Sequence, residues 1–136
     1  PLGRVADRVV LEITERASLE GLDAVAARVR ELRDIGFRIA IDDLGAGYAG
    51  LSSLARLEPE VVKLDMSLVR GLHEHPTRLR LVDSMTAVCR QLGMRVVTEG
   101  VETALERDAL IGLGCDLAQG YYFARPAVGY PEPAFG

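Results

Sequence analysis

Apolar positions along this chain switch repeatedly between two spacings. Short β-branched runs at residues 8–13 (RVVLEI), 37–42 (FRIAID), 60–65 (EVVKLD) and 94–99 (MRVVTE) predict strands. Between the first two, Leu22, Val25, Val29 and Leu32 recur at helical spacing up to Gly36, which can cap a helix. Residues 49–57 predict a short helix stopped before Pro59. A polar loop is expected through His73 and Pro76. Leu79, Val82, Met85, Val88 and Leu92 then mark a long amphipathic helix ending at Gly93. Residues 103–114 predict a helix closed by Gly114, and 115–123 a short last strand with an aromatic exit loop. The Pro- and Gly-rich residues 127–136 predict an irregular tail. Strand and helix alternate with no break in composition, so residues 1–136 are expected to be one α/β unit of about five parallel strands. The runs are apolar on both parities, as in strands buried on both faces.

The polar residues interrupt this pattern at one place in each strand. Glu12, Asp42, Lys63 and Glu99 stand at the ends of the first four runs, and Gln119 just past the last. Val10, Ala40, Val61 and Val97 lie two positions earlier, and alternation turns each pair to the same face. That face is expected to show a small apolar layer capped by a charged one. The other parity, with Val9, Leu11, Ile39, Ile41, Val62, Leu64 and Val96, is expected to pack under helices. Ligands bind at C-terminal strand ends in closed barrels and open sheets alike, so position does not choose between them. Each residue alone reads as a turn or cap residue; four at one edge read as a site.

Asp42 and Asp43 are neighbours, and two anions about 4 Å apart repel by roughly 4 kcal/mol at an effective dielectric near 20. Carboxylates converging near Lys63 call for a countercharge, and hard divalent cations such as Mg²⁺ or Mn²⁺ take oxygen ligands of this kind. Gly45 and Gly47 are expected to free the backbone so that both carboxylates turn to one site.

Composition narrows the field. The 136 residues carry 20 acidic against 16 basic side chains, a net charge of −4 that disfavours a nucleic-acid surface and DNA as partner. No apolar run reaches the length of a membrane span. Cys89 and Cys115 are isolated, which fits reduced thiols and a cytoplasmic setting. The chain does not begin with Met and is expected to be a piece of a longer protein. Gly45-x-Gly47-x-x-Gly50 matches a dinucleotide fingerprint only in spacing, and the preceding carboxylates would repel a pyrophosphate. His73 and His75 have no ligand partners at zinc spacing. Ser52 and Ser53 fit a helix start, and Tyr121, Tyr122 and Phe123 suit either base stacking or an aromatic plug. Acidic groups and a lysine at strand ends would also suit a metal-assisted enolising enzyme.

LEITE (11–15), DDLGAGY (42–48), VVKLD (61–65), TEGVE (98–102) and QGYYFARP (119–126) together resemble EAL domains, the cyclic di-GMP phosphodiesterases, over residues 8–126. The resemblance implies a modified (β/α)₈ barrel of which this chain is the C-terminal portion. It implies hydrolysis of cyclic di-GMP to linear pGpG with two Mg²⁺ or Mn²⁺ ions, with Glu12, Asp42, Asp43 and Glu99 as metal ligands. Lys63 would contact the attacking water and Glu99 would share in catalysis. Gln119 and Glu102 would support the site, and Glu15 would tether the loop after Asp43. The Glu-Ala-Leu strand and an Asn ligand are absent, as are the usual hydroxyls of that loop, where Ala46 and Ala49–Gly50 stand, and Leu44 replaces the usual Phe. The isolated chain is therefore expected to be inactive or nearly so, and the alternative is a degenerate module for cyclic di-GMP sensing or protein contact. Two open sheet edges suggest a homodimer or a domain-swapped oligomer.

Overall fold

The computed structural model describes residues 2–14, 21–46 and 50–135. Five strands form one sheet: β1 (Val10–Thr14), β2 (Arg38–Leu44), β3 (Val61–Leu64), β4 (Arg95–Thr98) and β5 (Leu117–Ala118). All pairings are parallel and the spatial order is the order of the chain. Among the strands described, the order never reverses, and that is the arrangement of a barrel wall; an open doubly wound sheet would reverse its strand order.

The intervening helices are α1 (Leu22–Ile35), α2 (Gly50–Leu57), the single turn α3 (Met66–Val69), α4 (Pro76–Gln91) and α5 (Ala104–Gly112). Their ends follow local chemistry. Gly36 closes α1 in the left-handed region, φ 109°, donating its N–H to the carbonyls of Leu32 and Arg33. Proline opens α4, where its missing N–H costs nothing. Thr103 and Glu106 form a reciprocal capping box on α5.

Strand parity divides the two faces as expected. Ile39, Ile41, Val62, Leu64 and Val96 are buried with Val29, Leu54, Val82 and Leu110 from the helices. On the other face Val10, Val61 and Val97 are only half-buried and Ala40 alone is closed off. The small apolar layer expected there is therefore half open to solvent.

Several boundaries differ from the sequence reading. Residues before Val10 form 3₁₀ turns over Leu2–Arg8, with Ala6 buried, so β1 starts two residues late. The segment after β3 is no simple polar loop: Asp65 caps α3 by accepting from the Ser67 N–H, and Val69 and Leu72 are fully buried. Those two side chains anchor what charge and proline content alone mark as exposed. The described residues 124–135 contain no helix or strand, and the Ala134 N–H returns to the Phe123 carbonyl at 2.7 Å.

Candidate functional site

The decisive local feature lies in β2. Ile41 faces Val62 and Leu44 faces Leu64, so Asp42 and Asp43 together oppose the single residue Lys63. This is a β-bulge. Asp43 sits at φ +58°, in the left-handed region that Asp tolerates better than most side chains. The extra residue breaks the alternation that would otherwise send the two carboxylates to opposite faces. The sequence reading assigned this freedom to Gly45 and Gly47. Gly45 does take φ +107°, but the turn is made two residues earlier by Asp43 itself, and Gly47 lies outside the described residues.

Asp42, Asp43 and Glu99 each offer a carboxylate oxygen, all within 4.8 Å of one another. The donor set is all oxygen and anionic, which fits a hard divalent cation. Glu12 lies outside that trio but joins it through Lys63. The Lys63 ammonium lies 2.9 Å from Glu99 Oε1, 3.0 Å from Glu12 Oε1 and 3.1 Å from Asp42 Oδ1. Lys63 is only 8% exposed. Burial by itself would lower its pKa, but the hydrogen bonds to Glu99, Glu12 and Asp42 outweigh that and hold it above the ordinary lysine value. Burial raises the pKa of Glu99, and the charge of Asp42 adds to the effect against the pull of Lys63.

Gln119 donates from Nε2 to Glu99 Oε1 at 2.9 Å. Its position is set by close backbone packing: Val101 donates to the Gln119 carbonyl, Tyr122 donates to the Val101 carbonyl, and Gly120 lies against Val101 with no room for a Cβ. Glu102 stands apart from the carboxylate group and pairs with Arg70. Glu15 lies outside the described residues.

Beside the carboxylates is an open cleft of about 510 Å³, lined among others by Asp43, Glu99, Arg70, Glu102, Tyr121 and Arg125. Arg70 and Arg125 were not singled out in the sequence, where isolated arginines on loops carry no periodic signal. Of the three aromatics, Tyr122 accepts a hydrogen bond from Arg107 and Phe123 packs against the core, whereas Tyr121 faces the cleft with Arg125 stacked 4.9 Å from its ring. His73 falls in the 3₁₀ turn and His75 immediately before α4, and neither lines this cleft. Ser53 is buried inside α2 and not at its start.

A model of the EAL domain family matches residues 2–126. The chain belongs to the EAL domain family. It is 38% identical over 127 residues to the cyclic di-GMP phosphodiesterase RocR of Pseudomonas aeruginosa, covering 93% of this chain and 32% of that protein. It superposes with a TM-score of 0.88 on the cyclic di-GMP-bound form of a standalone EAL protein from Vibrio cholerae, at 33% identity, covering 95% of this chain and 55% of that one. The manganese and cyclic di-GMP complex of Klebsiella pneumoniae BlrP1 gives a TM-score of 0.85 at 42% identity, covering 89% of this chain and 31% of that one. The chain thus spans about a third or less of the length of the curated relatives it matches. EAL relatives bind divalent metal together with cyclic di-GMP, and no described helix here is long and apolar enough to cross a membrane.

Proposed function

We propose that this chain is the C-terminal part of a domain that hydrolyses cyclic di-GMP to linear pGpG, and that it carries most of the metal-binding edge. The observation that supports this reading is the bulge that brings Asp42 and Asp43 to Glu99. Asp42, Asp43 and Glu99 would hold Mg²⁺ or Mn²⁺, with Glu12 at the rim. A cation bound there supplies Lewis-acid activation of water and neutralises charge on the phosphodiester. Lys63, kept protonated by its neighbours, stabilises the charge that develops on the phosphoryl oxygens and orients the attacking water. Gln119 fixes the rotamer of Glu99, and Glu102 holds Arg70 on the cleft wall, where a phosphate can meet it. The setting is cytoplasmic, where free Cys89 and Cys115 stay reduced. Two copies associate through the open edges of β1 and β5.

The test is turnover of cyclic di-GMP with Mn²⁺. The 136-residue chain is expected to be inactive or nearly so, because two ligands implied by the family are missing, and losses even outside the metal's own ligands cost about 10–100-fold. A chain extended by a segment supplying the Glu-Ala-Leu and Asn-bearing strands is expected to turn over. Full activity of the short chain would refute the importance of the missing ligands. Binding of cyclic di-GMP without turnover in the extended chain would favour the sensing module, a reading supported by the hydroxyl-free Ala46 in the loop after Asp43.

A further inference from the structure

An ammonium group has three hydrogens to donate. At Lys63 three carboxylates from three different strands take them: Glu12 of β1, Asp42 of β2 and Glu99 just past β4. These bonds use the whole donor capacity of the group and leave none for water or phosphate. Two of the three partners, Asp42 and Glu99, are also members of the trio completed by Asp43. The atoms that hold the ammonium are Asp42 Oδ1 and Glu99 Oε1, which already accept from the Asp43 N–H and from Gln119. An ammonium and a divalent cation would therefore draw on the same two carboxylates.

We infer that Lys63 is a built-in stand-in cation: it holds the acidic edge together when no metal is bound, and an entering divalent ion must compete with it for Asp42 and Glu99. The inference rests on the metal reading given above and adds a direction to it. Lys63 supports the metal-free fold and at the same time opposes metal entry. A unit charge about 5 Å from a dication changes affinity by about tenfold or more even when strongly screened. Metal occupancy would then free Lys63 donors for the phosphodiester, so that the lysine becomes available to substrate only at a loaded site.

Mn²⁺ alone is the probe. Free Mn²⁺ is followed by electron paramagnetic resonance with the wild-type chain, Lys63→Met, Lys63→Gln and Asp43→Asn, and each is melted without metal. Both Lys63 variants are expected to bind Mn²⁺ about tenfold or more tighter than wild type. They should melt lower without metal and recover with it, while Asp43→Asn binds more weakly. Equal or weaker binding by the folded Lys63 variants, with wild type still binding, overturns the stand-in role and leaves the metal reading intact. The same variants are measured in the chain extended by the Glu-Ala-Leu and Asn-bearing strands, and absence of binding by every extended chain overturns both. Should neither Lys63 variant fold, ¹⁵N-lysine labelling of the wild-type chain decides. The Lys63 ammonium resonance must shift as Mg²⁺ moves the Asp43 amide, and an unmoved resonance refutes the inference.

Discussion

Asp43 combines two costs in one residue. It holds a left-handed backbone angle, worth about 1–2 kcal/mol for an ordinary side chain, and it places its charge beside those of Asp42 and Glu99. Asp43→Gly removes both, so it should preserve or raise stability in urea unfolding while Mn²⁺ affinity falls. Asp43→Val keeps the angle with a β-branched side chain and should lose about 1–2 kcal/mol or more. A stability loss with Asp43→Gly would show that the bulge is not strained.

Glu106 is a second residue whose role follows from its partners. It is buried, and its carboxylate accepts N–H groups from Gly71 at 2.8 Å, Glu102 at 2.8 Å and Thr103 at 3.1 Å. It thereby ties the loop bearing Arg70 to the loop bearing Glu102. Burial by itself would raise its pKa, and those backbone donors reverse this and hold it below the usual carboxylate range. Glu106→Gln turns a donor against a donor and should cost about 1–3 kcal/mol at neutral pH. A carboxylate with a depressed pKa contributes in full above its unfolded value and loses that contribution as pH falls through the folded one. The gap between wild type and Glu106→Gln should hold from neutral pH to about 5 and close below it. Denaturation across that range checks the sign, and a gap that widens in acid would contradict it.

At the scale of elements, the site depends on how closely loops approach. A Cβ on Gly120 would lie 2.1 Å from the Val101 carbonyl oxygen and 2.3 Å from its nitrogen, both backbone atoms with little freedom to move. Gly120→Ala is expected to cost about 3 kcal/mol or more and to detach Gln119 from Glu99, read as a lowered melting temperature. Gly100 at φ +72° packs on the Met66 side chain and so fits the loop after β4 against α3. α1, α2, α4 and α5 were legible from spacing and caps, because each carries its own apolar stripe and stop signals. The single turn α3 was not, because four residues carry no period and its stability comes from the Asp65 cap and the buried Val69. β5 is only two residues long, and both are exposed; among the described strands it pairs with β4 alone.

For the molecule as a whole, the open inner face matters most. Lys63 is closed off, yet Val10, Val61 and Val97 remain half-exposed, and β1 and β5 each pair on one side among the described strands. Unpaired parallel edges beside apolar surface invite association. Light scattering is expected to show concentration-dependent dimers or larger species in the micromolar range, and Lys substitutions at Val10 and Leu117 should reduce them. A monodisperse monomer at high micromolar concentration would count against association through these edges.

The chain by itself determined the alternation of strand and helix, the parity that separates core from site, and the row of Glu12, Asp42, Lys63, Glu99 and Gln119 at one edge. Those are periodic or local properties, and each residue's neighbours in sequence suffice to specify them. Only the tertiary structure decided that the strands lie in sequential order, that Asp42 and Asp43 turn to the same side, and that Lys63 meets three carboxylates at once. A bulge is a mismatch in count between two strands, so it does not exist until β2 and β3 are paired. The position of an ammonium among its partners likewise depends on contacts between residues that lie 21 to 51 positions apart.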